Sequence, residues 1–425
     1  MSSTTFEAEV ERNYRHNYIV NFLDGTFFWL GSNFIAWRTI LPLYISNYTD
    51  SEFALGLLAT IGATGWLLPQ LFTSNWVQRL PQKKVVPVRL GLFTERLPVI
   101  LLVPASSLAI YSPSLALFLF FVLFAWFMIG AGVVAVGWQD MIAKIFPVNR
   151  RGRFFGVTNF SGTATGVLGA AAAAWFLDHY GFPYNYTICF AFAGLFIFIS
   201  WLWLSQTREP AQVSKQPVVA EVDYLRHLPS IIQEDVNFRR FLISQIVISM
   251  GGMAAGFLTV YAVQRWQLPE GQAGIYTVSM LVGQAVGNLI FGPLADRRGH
   301  KLVLEFSTIL GILSVGIASI APSSAWFLLV FALAGVSNAG VILSGIMIVF
   351  EFSPAEIRPT YIGLNNTLVG IAAALAPLLG AWLASTLGYQ ALFIVAFSIG
   401  VVGYILLRWT VREPREAHSA LDQFV

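Results

Sequence analysis

Charged side chains fall inside long apolar stretches of this 425-residue sequence, among them Asp24, Arg38, Glu95, Arg96 and Asp140. A charge at bilayer depth costs at least about 2.5 kcal/mol, so each of these needs a partner or a task. Such groups can pair into a static buried ion network. Alternatively, a carboxylate among them can take up and release a proton as its surroundings change. Asp24 lies six residues into the first apolar run, about 9 Å deep at 1.5 Å per residue. Arg38 occupies the far third of the same run. Glu95 and Arg96 fall near the middle of the third run, and Asp140 near the end of the fourth, beside Gln139. Being adjacent, Glu95 and Arg96 are expected on different faces of a helix, whereas Arg89 and Arg96 share one. That basic stripe needs acidic partners, and Asp24 and Asp140 are the available ones. Gln70, directly after Pro69, pairs an amide with a predicted kink in the second run. The later runs contribute mainly amides: Gln245, Gln284, Asn288, Asn338, Asn365 and Asn366.

The elements that must position these groups follow from composition. Apolar residues make up 56% of the chain and charged residues 11%, against about 25% charged in soluble proteins. That is too few charges to cover a soluble surface, so an integral membrane protein is expected. A helix needs about 20 apolar residues to cross the hydrocarbon core. Twelve such runs are read at 18–45, 53–78, 86–111, 114–143, 153–177, 184–206, 241–263, 272–294, 302–321, 325–350, 360–386 and 390–410. Several connections are very short, so the fold expected is an all-α bundle of antiparallel neighbours. The single cysteine, Cys189, excludes an intramolecular disulfide and a cysteine-based metal site. The net charge of +3 points to no nucleic-acid partner. No cleaved signal is expected at the polar N-terminus, because the first run is too long for one.

Orientation comes from lysine and arginine. With the N-terminus inside, all of them except Arg38, Arg89, Arg96 and Arg265 fall in the inner loops and tails, so both termini are expected in the cytoplasm. The halves also repeat. FPVNRRGRFFG (146–156) resembles FSPAEIRPTYIG (352–363), aligning Pro147 with Pro354, Arg151 with Arg358 and Gly156 with Gly363. Arg-Glu-Pro closes both halves, at 208–210 and 412–414. The expected organisation is therefore a six-helix bundle over 1–206, a cytoplasmic linker over 207–236 and a second six-helix bundle with tail over 237–425. Parallel repeats of this kind enclose a solute path between them. In the linker, Leu225, Leu228, Ile232 and Val236 have helical spacing and suit a helix on the inner membrane surface. Two Asn-x-Thr tripeptides, 47–49 and 185–187, fall on the predicted outer side; such tripeptides occur by chance and carry no weight.

The loop GPLADRRGHK (292–301) crowds charge between two apolar runs. It resembles the loop signature of the major facilitator superfamily: glycine, any, leucine, small, aspartate, arginine, any, glycine, basic, basic. Gly292, Leu294, Asp296, Arg297, Gly299 and Lys301 match, while position 300 is histidine. The resemblance extends along the whole chain through the duplicated twelve-helix plan. It implies two pseudo-symmetric bundles and a cytoplasmic latch formed by this loop. Arg151 and Arg358 resemble secondary gate positions, and Glu351 is a partner expected for Arg358 or Arg297. The first-half copy, SNWVQRLPQKK (74–84), departs from the signature at Ser74, Gln78 and Pro81, which implies a one-sided latch.

The function expected is secondary transport of a small organic, amphipathic solute by alternating access, as proton-coupled export. The substrate and coupling candidates are Asp24, Arg38, Gln70, Glu95, Arg96 and Asp140. Two departures bear on the export reading: Trp126 stands where proton-driven drug exporters of this superfamily carry an arginine, and GAAAAA (169–174) lacks their proline. The rival readings are proton-coupled uptake of a polar metabolite, with an anion held by Arg38 or Arg96, and a non-transporting scaffold for a pigment, lipid or protein. An enzyme is not expected: the five histidines, His16, His179, His227, His300 and His418, lie in tails or loops. No cofactor or metal is expected. The expected partners are the bilayer, protons and a small solute, with the protein acting as a monomer in a plasma or bacterial inner membrane.

Overall fold

The computed structural model describes residues 3–211, 231–345, 347–353 and 358–414. Every regular element among them is helical, and helical backbone occupies each of the twelve apolar runs. Of the linker segment 207–236, only the two ends are described; Leu225 and Leu228 lie outside the described residues.

The first run is not one rod. Helix α1 (Ser3–Ser32) passes into a single 3₁₀ turn at Asn33–Ile35, leaves helical geometry at Ala36, and resumes as α2 (Ile40–Ser46). The first run of the second half breaks in the same way. Helix α9 below (Val236–Gly251) ends at a glycine pair, followed by a 3₁₀ turn at Gly252–Ala254 and a new start at Leu258. Irregular backbone at membrane depth survives only inside protein or beside a water-filled cavity. The second run divides into α3 (Glu52–Thr64) and α4 (Leu68–Arg79), with Pro69 in the first turn of α4, where a missing N–H costs nothing.

The third run departs furthest from an ideal helix. Val86–Leu90 and Leu92–Arg96 are π-helical turns leading into α5 (Leu97–Ser107). Pro87 and Pro98 each remove a backbone donor, and wider turns are one way to accommodate that loss. Helices α6 (Pro113–Ile145), α7 (Val148–His179) and α8 (Tyr184–Leu204) complete the first half. The second half consists of α9, α10 (Leu258–Trp266), α11 (Gln272–Arg298), α12 (His300–Ile320), α13 (Trp326–Ser344), α14 (Met347–Phe352) and α15 (Arg358–Thr410). Two helices meet within α15 at Gly388, whose φ of 82° lies in the left-handed region that glycine enters without strain.

Among the described residues, nine helices are long and apolar enough to cross a membrane. Eight coincide with the second and the fourth to tenth runs, and the ninth, Tyr361–Thr410, carries the eleventh and twelfth together. The first and third runs fall short for visible reasons. One is broken at residues 33–39, and the other carries Arg89, Glu95 and Arg96 on π-helical turns.

The chain folds into two compact units. Unit 1 comprises Met1–Asp50, Ile61–Pro217 and Pro269–Val278; unit 2 comprises Ser51–Thr60, Val218–Leu268 and Ser279–Val425. Each unit thus includes a ten-residue segment from the opposite half of the sequence, and both segments lie at or near the start of a second helix of their half. In unit 1, α1 packs against α7 and α8. One core there surrounds Phe146 and Phe154, stacked with centroids 4.3 Å apart, with Met141, Ile145 and Leu204. In unit 2, a core of Phe238, Phe241, Phe352, Tyr361 and Leu407 ties α9 to α14 and α15.

Candidate functional site

Asp24, Glu95 and Arg96 are all buried, at 4%, 3% and 3% exposure. Four elements of unit 1 bring their side chains together. Asp24 projects from α1. Ser200 on α8 donates a 2.6 Å hydrogen bond from Oγ to Asp24 Oδ1. The Trp138 indole on α6 also lies close to the same carboxylate. The Arg96 guanidinium, from the second π-helical turn, lies within electrostatic range of Asp24. It is also in an ion pair with its neighbour Glu95.

That ion pair corrects the sequence expectation. Adjacent residues on an α-helix lie about 100° apart and point away from each other. Residues 92–96 form a π-helical turn instead, and there the two side chains meet. The turn is held close to α6, where a β-carbon on Gly130 would collide with the Thr94 carbonyl oxygen. Arg96 also lies 6.0 Å over the Phe28 ring, a weak cation–π contact. Its Nε has no hydrogen-bond partner among the described residues. The cluster thus contains two carboxylates and one guanidinium. Its net charge is −1 with Asp24 ionised and zero with Asp24 protonated. The Ser200 hydroxyl can donate to the carboxylate or accept from the acid, so it satisfies both forms.

The remaining candidates lie elsewhere. Asp140 does not join Asp24: it lies 3.5 Å from Lys83 Nζ at the lysine-rich end of the unit, with 43% of its side chain exposed. Arg38 lies in the turn that interrupts the first run, and its guanidinium stacks 4.7 Å over Trp37. Gln70 donates at 2.8 Å to the carbonyl of Trp66, in the turn between α3 and α4. Arg151 caps the end of α6, donating to the carbonyls of Phe146 (3.0 Å) and Ala143. Arg358 opens α15.

The basic ends of the two halves carry related carboxylates. In unit 1, Glu209 of the first Arg-Glu-Pro accepts from the backbone N–H of Lys83 (2.9 Å) and Lys84 (2.7 Å), and pairs with Lys144 Nζ at 2.9 Å. In unit 2, Glu413 of the second Arg-Glu-Pro faces the signature loop: a β-carbon on Gly299 would come within 2.7 Å of its Oε1. Gly299 has φ of +88° and ends α11, so glycine is required there on both counts. Asp296 and Arg297 are exposed in the last turn of α11. Lys301 and Arg408 share Glu305, at 3.1 and 3.3 Å. Arg297, Arg298, Gly299, Lys301, Arg408 and Glu413 border an open hollow there. Glu351, the acidic partner expected for Arg358 or Arg297, lies 3.8 Å from His300 Nε2. Ser344 meets the other ring nitrogen of His300 at 3.1 Å.

Comparison with known proteins decides the family. The model described as "Major Facilitator Superfamily" matches residues 22–259 and 241–424, nearly the whole chain. The chain belongs to the major facilitator superfamily. The relatives that it resembles within this family are transporters and not enzymes. Among these is the niacin transporter NiaP of Acinetobacter baylyi, 24% identical over 152 residues, which cover 36% of this chain and 35% of that protein. The efflux pump apf11 of Gibberella fujikuroi is 31% identical over 129 residues, covering 30% of this chain and 23% of the pump. The aligned stretches thus span less than half of either relative. Among solved structures, the nucleoside transporter NupG superposes with a TM-score of 0.67 at 13% identity, covering 92% of this chain and 97% of that one. A POT family transporter in complex with 5-aminolevulinic acid gives 0.70 at 13% identity, with 92% and 95% covered. These similarities establish a shared facilitator fold.

Proposed function

We propose that this superfamily member is a secondary transporter that exports a small amphipathic organic solute in exchange for protons. The twelve helical runs form two six-helix bundles that alternate access to a central site. Asp24 carries the coupling proton. The observation that carries this reading is the commitment of Arg96 to Glu95. Asp24 then has no dedicated counter-ion, and its nearest hydrogen-bond partner, the Ser200 hydroxyl, suits either protonation state. A static network built to hold a permanent charge would give that carboxylate an arginine of its own.

The breaks in the first helix of each half support a solute site at the same level, since such irregular backbone is kept beside cavities. Both termini lie in the cytoplasm in this reading, as the lysine and arginine distribution favours. Asp296, Arg297, Gly299 and Lys301 form the cytoplasmic latch, with Glu413 bracing its turn. Export is supported by the efflux pumps among the relatives, such as apf11, and by the scarcity of fixed charge in the spans.

One observation favours a second reading, uptake of an organic anion. Arg38 sits at the break in the first run, over Trp37, where a carboxylate could be held beside an aromatic face. A niacin transporter is among the relatives. Purified protein in liposomes separates the two. Export coupled to protons predicts that an imposed pH gradient drives a permanently charged lipophilic cation dye to the acidic side of liposomes that contain the protein and not of protein-free ones. Anion uptake predicts that only an aromatic monocarboxylate moves, and that Arg38→Gln abolishes it.

A further inference from the structure

We infer that Glu270 is the carboxylate that clamps the outer end of the second half onto unit 1, and so sets how readily the outer face opens. This inference rests on the alternating-access reading above. Glu270 lies two residues before α11, and the segment Pro269–Val278 belongs to unit 1 although the rest of α11 belongs to unit 2. The Nδ2 of Asn47, at the end of α2, donates to Glu270 Oε1 at 2.8 Å. The Nδ2 of Asn185, in the first turn of α8, donates to Oε2 at 3.1 Å. The buried Tyr186 phenol lies within electrostatic range of the same carboxylate. One carboxylate therefore gathers donors from two elements of the first half. Next to it, the Gly271 N–H donates to Asp178 Oδ1 at 2.7 Å, and deeper in, Thr277 meets Thr39 at 2.5 Å.

The two asparagines belong to the repeated Asn-Tyr-Thr tripeptides at 47–49 and 185–187. Their shared pattern has a physical use here, because each asparagine amide is occupied by the same carboxylate. Hydrogen bonds to an ionised acceptor are stronger than neutral ones, and water can reach Glu270 at the rim. Such bonds hold a closed state and can still exchange for water when the ends separate. Alternating access requires that separation once per cycle.

The test uses a thiol probe. The native Cys189 is the only cysteine and is buried, so a cysteine placed at Thr277, 0% exposed, reports outer opening to a membrane-impermeant maleimide. A second probe, Asn159→Cys, stands in the half of α7 nearer the end expected to be cytoplasmic from the lysine and arginine distribution, at a position exposed in this structure. In the Thr277→Cys background, Glu270→Ala is expected to raise labelling at least about tenfold, the equivalent of one charge-assisted hydrogen bond. In the Asn159→Cys background, it should lower labelling. The pair Asn47→Ala with Asn185→Ala removes the donors and leaves Glu270 in place; it should act in the same direction and serves if Glu270→Ala does not fold. Unchanged Thr277→Cys labelling in folded protein would overturn the clamp. A rise at Thr277→Cys with no fall at Asn159→Cys would also overturn it, reducing Glu270 to local packing. Either result with intact wild-type flux leaves alternating access standing. Absence of flux in the wild type, with no reciprocal labelling change, would instead count against alternating access itself.

Discussion

Ser200 Oγ donates to Asp24 Oδ1 at 2.6 Å, tying the eighth helix to a buried carboxylate on the first. Ser200→Ala deletes that donor and leaves the carboxylate with Trp138 and the field of Arg96. A hydrogen bond to a charged group contributes about 1.5–3 kcal/mol. The variant should insert normally and unfold earlier on heating in detergent, while Ser200→Thr retains most of the stability. Equal melting of Ser200→Ala and wild type would show that the contact contributes nothing.

Arg96 faces two carboxylates, its neighbour Glu95 and Asp24. Arg96→Gln leaves Glu95 buried beside Asp24 with no cation, an arrangement that typically costs about 3–5 kcal/mol. That variant should express poorly. Adding Glu95→Gln should restore much of the loss, because the pair is then neutral on both sides. Thermal unfolding followed by size-exclusion fluorescence compares the three proteins, and failure of the double variant to recover would assign the principal pairing elsewhere.

Glu209 should be the most sensitive single carboxylate at the basic end of unit 1. Its side chain is fully buried and accepts from Lys83, Lys84 and Lys144. Glu209→Ala strands two backbone donors and one ammonium, each a cost of about 1–3 kcal/mol. The expected outcome is loosening of residues 80–84, read as faster proteolytic nicking in that segment. The equally buried but neutral Glu209→Gln should loosen it less.

How much of this was legible in the sequence depends on how rare each signal is. A charge in an apolar run is rare, so Asp24, Glu95 and Arg96 stood out, and the structure does bring them together. Ser200 gave no signal, because a lone serine in an apolar helix is common and usually bonds within its own helix. The Glu95–Arg96 pair was hidden for a different reason. Helical spacing sets the angle between adjacent residues but not the reach of two long side chains, which here turn towards each other. The break near Arg38 was equally silent, since no proline or glycine marks residues 33–39. The second-half break was more visible, through Gly251 and Gly252. The assignment of Ser51–Thr60 to unit 2 was out of reach because periodicity marks a buried face and not its neighbour. Loop chemistry read better: the signature glycine at 299 does take a left-handed φ.

The most direct test of the account is Asp24→Asn in proteoliposomes. Asparagine keeps the shape and can still bond to Ser200, and Arg96 keeps Glu95, so the variant should express and melt close to wild type. With Asp24 as the proton carrier, a pH gradient should drive no net flux through this variant, while solute exchange at equilibrium continues, because exchange needs no net proton movement. Full gradient-driven flux through a stable Asp24→Asn protein would contradict the account. So would an unstable variant rescued by Arg96→Gln, which would make Asp24 the structural partner of Arg96.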